Sequence, residues 1–313
     1  MIWLQDKLFT KIGHFVKNLL KKYFQKIVDQ YAAAIVKCEH NNTDRLLQIL
    51  IAQRYREIVE NGGHFPSFSD VEFSTYSQNG EDGILLFIFT VIGTNTRKVV
   101  ETCASDGVEC NAANLIINHG WSGLLLDGDK DMIEKGKKFY EQRTNAWRLR
   151  RLPPILVQAW ITTENINDLI LRNGMSGEID LLSLDMDGVD YWIWKEITCI
   201  NPRVVIVEYN NRWGSMQSVT VPYSKDFVGE GASVEGEGYF GASLLAFTRL
   251  AKDKGYRLIG ANSPNTNAFF MRYDVGKELF PEVSVDSCLS SDYALFQHKT
   301  KYPRIKNLPV VEI

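Results

Sequence analysis

Two short apolar runs, residues 181–184 and 204–207, each end in an acidic residue, and this constrains the chain's fold more than any other feature. Leucine- and valine-rich runs of this length, without polar alternation, read as strands buried on both faces of a parallel sheet. A turn carrying Pro202 is expected just before the second run. Open α/β sheets bind ligands outside the C-terminal ends of their strands. Asp185, Asp187 and Asp190 follow the first run, and Glu208 and Asn210 close the second. If the strands are neighbours, these oxygen-bearing groups converge on one point of the sheet edge. The chain then reads as a small-molecule enzyme with its site there.

Upstream, residues 98–101 read as a strand, 102–107 as a tight loop and 111–118 as a helix stopped by Gly120. A second strand, 122–126, follows and ends in Asp127-Gly128-Asp129, with Asp127 20 residues beyond Gly107. Strand, loop, helix, strand and acid in this order outline a nucleoside-binding half. Amides at the helix start meet polar ligand groups, and the acid accepts ribose hydroxyls. Just before this unit, Ser77, Gln78, Asn79, Glu81 and Asp82 lead into the apolar run 84–92. Helix capping uses one or two such groups, so a ligand contact stays open beside the capping role.

Further along, helices are expected over 130–145, 163–171, 191–200 and 243–254, with a third strand at 155–161. Trp192, Trp194 and Ile197 are expected to fill core, and the cluster Arg148, Arg150 and Arg151 to sit in a solvated loop. Strands 256–261 and 267–273 form a hairpin, which adds an antiparallel strand to the parallel sheet. The glycine-bearing segment 215–241 leaves the edge that carries Glu208, and its length favours a substrate-covering role. Residues 8–37 repeat apolar side chains at three and four among many lysines, and a second helix spans 42–60. The first pattern suits a helix packed on the body, a peripheral membrane helix, or self-association. The expected division is a helical extension over 1–70, a Rossmann-like domain over 71–278 and a C-terminal surface tail over 279–313.

Composition narrows the function classes. Net charge is −3 over 313 residues, which leaves no basic excess for nucleic acid. Five cysteines, at 38, 103, 110, 199 and 288, form no CxxC pair and are odd in number, so a reducing, cytoplasmic setting is the simpler reading. No stretch approaches 18 apolar residues without charge. The histidines His14, His40, His64, His119 and His298 show no ligand spacing and read as structural or exposed.

The segments YSQNGEDGI, VVETCASDG, GWSGLLLDGD, IDLLSLDMDGVDYWIW and VVIVEYNNRWG together resemble the FkbM-like branch of S-adenosylmethionine-dependent methyltransferases over residues 76–273. The resemblance implies an α/β fold with a Rossmann-like class I methyltransferase sheet of seven strands, the last antiparallel. It implies S-adenosyl-L-methionine against Gln78, Glu81, Glu101, Ala104, Asp106 and Gly107, with Asp127 and Asp129 at the ribose side. The usual loop has a glycine where this chain has Cys103. A side chain disfavours positive φ, so the turn is expected to differ or be displaced. The acidic group also resembles the metal site of catechol-type methyltransferases, which implies Asp185, Glu208 and Asn210 as ligands of magnesium or manganese. Asp187 or Asp190 would join them as ligand or base. The acceptor implied is a hydroxyl of a small molecule or glycan.

Two other readings stay open. The stretch LDMDG resembles the opening motif of haloacid-dehalogenase-type phosphatases, with Asp185 as nucleophile and Asp187 as acid/base beside magnesium. That motif belongs to the first strand of its domain, whereas three strand candidates precede it here. A non-catalytic binding protein is the other reading, in which the altered glycine loop marks a degenerate fold that binds a partner through the N-terminal helices.

Overall fold

The computed structural model describes residues 43–63, 65–143, 153–227 and 238–313. The lysine-rich pattern of 8–37, His14, His40, His64, and Arg148, Arg150 and Arg151 lie outside the described residues, as do Gly229, Gly231 and Gly236 of the expected cover. The chain divides into two compact units, 1–51 and 52–313. The described part of the first is residues 43–51, which belong to helix α1 (Thr43–Glu60).

The second unit is built on a seven-stranded sheet. In chain order it contains α2 (Phe68–Val71), α3 (Glu81–Val91), β1 (Lys98–Thr102), α4 (Ala113–His119), β2 (Ser122–Asp127), α5 (Lys130–Arg143) and β3 (Ile155–Gln158). Then follow α6 (Ile166–Arg172), β4 (Gly177–Leu184), α7 (Asp190–Glu196), β5 (Ile200–Glu208), β6 (Val219–Thr220), α8 (Leu244–Asp253), β7 (Tyr256–Ala261), β8 (Asn267–Arg272), α9 (Asp292–Ile305) and β9 (Val311–Glu312). The strand order is β3-β2-β1-β4-β5-β8-β7. The first five strands run parallel, and β8 is antiparallel to both β5 and β7. This is the expected α/β architecture with its antiparallel last strand.

The apolar runs are continuous because both sheet faces are covered. Leu182, Leu184, Val205 and Val207 join one core with Trp194 and Phe247, while Leu181, Val204 and Ile206 join the other with Ile84, Phe87 and Phe269. Residues alternate between faces along a strand, so neither face leaves room for a polar register. Pro202 is a correction: it lies within β5, opposite Ile179, and not in a preceding turn. Pairing with β8 begins at Val204, so the missing proline N–H falls where β5 has no second neighbour.

The C-terminal tail is also more structured than expected. Ser291 Oγ accepts from Ala294 N and starts α9, Pro303 falls in that helix's last turn, and β9 pairs with β6. Ile305 is fully buried beside Trp213 and Val219. Its apolar face was spread over too few residues, between prolines, to register as a helix.

Candidate active site

Strand register lines up the residues that matter. Thr102 of β1 pairs with Leu126 of β2 and with Leu184 of β4, Leu184 pairs with Val207 of β5, and Glu208 pairs with Asn267 of β8. One residue further on, Asp127, Cys103, Asp185, Glu208 and Asn267 therefore stand in a row along the C-terminal edge. The chain winds away from β1 in both directions, so the β1–β4 junction at the centre of this row is the topological switch point.

The loop after β1 keeps its turn without the glycine. Cys103 adopts φ of 53°, Ser105 50° and Gly107 67°. The expected displacement does not occur: Cys103 accepts the left-handed conformation, at a cost of ~1 kcal/mol or more. The surroundings hold it there. Ala104 N donates to Leu126 O at 3.1 Å, Gly107 N to Ala104 O at 2.7 Å, and Ser105 N to Asp127 Oδ2 at 2.7 Å. A Cβ at Gly107 would stand 2.8 Å from Leu125 Cδ1, so this position also demands glycine on steric grounds. Desolvation, then the carboxylates of Asp190, Asp127, Asp185 and Asp187, raise the Cys103 thiol above its ordinary range. The residue itself is open to solvent, but a protonated thiol in a negative field is a poor nucleophile.

Several residues expected around the cofactor are occupied by the protein. Glu101 is buried and accepts from Asn111 N, Ala112 N and Ser183 Oγ, so it anchors the start of α4 from below the loop. Asp129 Oδ1 accepts from Asp131 N and Met132 N and caps α5. Asp106 pairs with Lys135 at 2.7 Å and accepts from Val108 N. Ala104 and Gly107 are buried, and shape the turn through their backbones. Asp127 keeps partial exposure, with Oδ1 accepting from Asp129 N. Gln78 is exposed and donates to Glu109 at 2.6 Å.

The polar group before α3 is locked together. Ser77 and Asp82 exchange hydrogen bonds, Asp82 Oδ2 also accepting from Thr75 N and Tyr76 N. Burial nonetheless lifts Asp82 to about 6. Glu81 is buried; its Oε2 accepts from Asn79 N and its Oε1 from Asn262 and Asn267 side chains. It thereby fastens α3 to the hairpin at the end of the carboxylate row.

The acids after β4 and β5 do converge, though with a different membership from the one expected. Asp185, Asp187 and Glu208 each offer an oxygen within 4.8 Å of the others. Asn210 is the correction. Its side chain donates to Gly238 O and Phe240 O and accepts from Arg212 N, so every polar atom is engaged away from the cluster. β5 ends at Glu208, so strand alternation no longer sets the direction of Asn210, whose side chain instead caps the turn 211–213. Asp187 takes the third place from the turn after β4, where it adopts φ of 51°.

Electrostatics in the cluster are dominated by crowding. Burial, then Asp187, raise Asp185 to about 6, although a hydrogen bond with Glu208 works in the opposite direction. Burial, followed by Asp185, Asp187 and Asp190, pushes Glu208 well above the usual carboxylate range. Burial and crowding thus favour the protonated form of Glu208 beside Asp185. Asp190, fully buried, reaches about 7 through burial and Asp185, despite amide donation from Met186 and Gly188. No donor of the described protein reaches Glu208 Oε2. An acidic oxygen so placed suits either a proton or a cation, and three carboxylate oxygens suit a hard divalent ion.

No family model matches the chain, and no curated protein matches it. Among solved structures it is similar to an S-adenosylmethionine-dependent methyltransferase from Clostridium acetobutylicum, at 11% identity over 71% of this chain and 97% of that one, TM-score 0.40. It is similar to magnesium protoporphyrin IX methyltransferase from Synechocystis, at 11% identity over 76% and 96%, TM-score 0.38. A third, PKMT2 from Rickettsia typhi, shares 12% identity over 66% and 56%, TM-score 0.41. Likeness at this level concerns chain topology alone.

Proposed function

We propose that the chain is an S-adenosylmethionine-dependent O-methyltransferase acting on a hydroxyl of a small molecule or glycan. The observation that supports this best is the row Asp127, Cys103, Asp185 and Glu208 at the switch point, because it sets a polar cofactor loop directly beside a carboxylate pair. Asp127 accepts the Ser105 amide and keeps an exposed face, as a ribose contact requires. Glu101 and Asp129 act one step back, positioning α4 and α5 around the loop.

S-adenosylmethionine, when bound, would supply an electrophilic methyl group, whose bond to sulfur would break as the acceptor oxygen takes the carbon, the electron pair going to sulfur. Asp185 accepts the hydroxyl proton, since a carboxylate near 6 is ionised at neutral pH yet basic enough to share a proton. Glu208 orients Asp185 through their common hydrogen bond. A magnesium or manganese ion held by Asp185, Asp187 and Glu208 would hold substrate oxygens and lower the pKa of the hydroxyl.

The phosphatase reading finds less support, because β4 follows three parallel strands whereas that motif belongs to the first strand of its domain. Thermal unfolding with S-adenosylhomocysteine tests the transferase reading, with NAD as a control nucleotide, since a ligand that prefers the folded state raises its melting temperature. The expected result is a rise with the first alone, reduced in Asp127→Ala. A rise with neither ligand, or equal affinity in Asp127→Ala, would overturn the assignment.

A further inference from the structure

The turn between β4 and α7 is closed by a side chain to which the reaction above gives no part. Asp190 opens α7, and its carboxylate reaches back over the turn: Oδ1 accepts from Met186 N at 2.8 Å and Oδ2 from Gly188 N at 3.2 Å. These amides belong to the peptide groups that flank Met186 and Asp187, so one carboxylate fixes both. Between them Asp187 holds φ of 51°, a conformation that side chains disfavour. In this turn an Asp187 oxygen lies within 4.8 Å of oxygens of Asp185 and Glu208, a group to which Asp190 does not belong.

Asp190 is suited to holding the turn. It is fully buried, and α7 carries it on a rigid base, since Ile193 and Trp194 lie in the same core as Leu182 and Val207. Two separate amides need two acceptor oxygens, which a carboxylate has and a side-chain amide has not. Gly188 is packed against Phe227, where a Cβ would stand 2.7 Å from Cδ1, so the turn is also confined on the side of that ring. Both Asp190 oxygens face amides. The part of ligand or base expected of Asp187 or Asp190 therefore falls to Asp187.

We infer that Asp190 is a positioning residue of the site: it holds the turn that delivers Asp187 to Asp185 and Glu208, and so sets the affinity of the cluster for a divalent cation. The inference rests on the reading of that cluster as a cation site.

The test is manganese binding to the full chain at pH 8, read from the loss of the free-ion electron paramagnetic resonance signal. Asp187→Ala is expected to weaken binding by about ten-fold or more, and Asp190→Asn, equal in size but with one acceptor oxygen, by about ten-fold. Because Asp190 acts through Asp187, the double variant should bind within about two-fold of Asp187→Ala. Were Asp190 only a further negative charge, its effect would add in the double variant, and that result would overturn the inference. Unchanged binding in Asp190→Asn would overturn it too. A parent chain that binds no manganese would remove the cation reading and this inference together, whereas binding without the coupling removes this inference alone. The melting response of Asp190→Asn to S-adenosylhomocysteine should be retained; its loss along with manganese binding would mean general damage in place of positioning. Asp190→Glu keeps the charge but displaces the oxygens by a methylene, and should weaken manganese by about ten-fold as well. Melting curves accompany each variant, and Asp190→Glu decides the outcome if Asp190→Asn unfolds.

Discussion

Asp185 and Glu208 stand next to each other at the ends of β4 and β5 because Leu184 and Val207 are register partners, and burial together with repulsion from neighbouring carboxylates favours the protonated form of each. Both have folded pKa values raised by burial. A raised carboxylate binds protons in the folded state that the unfolded chain has already lost, so its contribution to stability falls as pH rises. For Asp185 the window runs from its ordinary value near 3.8 to about 6, and for Asp190 to about 7. The expected outcome is that Glu208→Gln, which removes the most strongly raised member, melts higher than the parent chain at pH 8 and no higher at pH 4. Turnover should fall by at least ten-fold. Melting curves across this pH range check the sign, and a variant less stable at pH 8 would contradict the crowded-acid account.

Divalent ions should reverse that crowding. A cation bound by Asp185, Asp187 and Glu208 competes with protons for these raised carboxylates, so manganese is expected to raise the melting temperature more at pH 8 than at pH 5. At 100 times its dissociation constant the gain would be about 3 kcal/mol. Asp185→Asn and Glu208→Gln should abolish the response. Asn210→Ala should retain it, although losing the bonds to Gly238 O and Phe240 O lowers overall stability. Loss of the manganese response in Asn210→Ala would restore that residue to the ligand set.

Cys103 carries strain that glycine would not. Cys103→Gly should stabilise the chain by ~1 kcal/mol, since relief of the left-handed conformation outweighs the added freedom of the unfolded chain. Affinity for S-adenosylhomocysteine should stay within about three-fold, because the loop's contacts run through the backbones of Ala104, Ser105 and Gly107. Calorimetry of both quantities checks this, and a destabilised variant would mean that the thiol itself holds the loop.

These particulars show what was legible in the sequence. Both strand runs ending in Asp185 and Glu208 were readable, since continuous apolar patterning follows from burial on two faces and the acids mark where burial ends. The partners of polar residues were not. Glu101, Asp129 and Asn210 have the right chemistry for ligand contacts, but each is satisfied by amides or carbonyls whose positions depend on tertiary folding. Glu81 meets Asn262 and Asn267, more than 180 positions away, and no local pattern encodes that. Pro202 misled for a related reason: its tolerance inside β5 depends on where β8 begins to pair.

The far end of the same strands holds a second acid, with the opposite sign of pH dependence. Asp180 of β4 is fully buried and lies 2.8 Å from Arg203 of β5, and it also accepts from the amides of Asn95, Thr96 and Arg97. Burial alone would raise its pKa, but the Arg203 hydrogen bond and the three amides together bring it below the ordinary value. A lowered carboxylate contributes stability that is present above its unfolded pKa and is lost as pH falls through the folded one. Arg203→Met leaves the charge without its cation, and its loss from a buried pair is expected to cost about 3–5 kcal/mol at pH 7. The deficit should shrink below pH 4, where Asp180 is protonated in the variant. Denaturant unfolding of both chains at pH 7 and pH 3.5 measures this, and an equal deficit at the two pH values would show that Arg203 acts through packing alone.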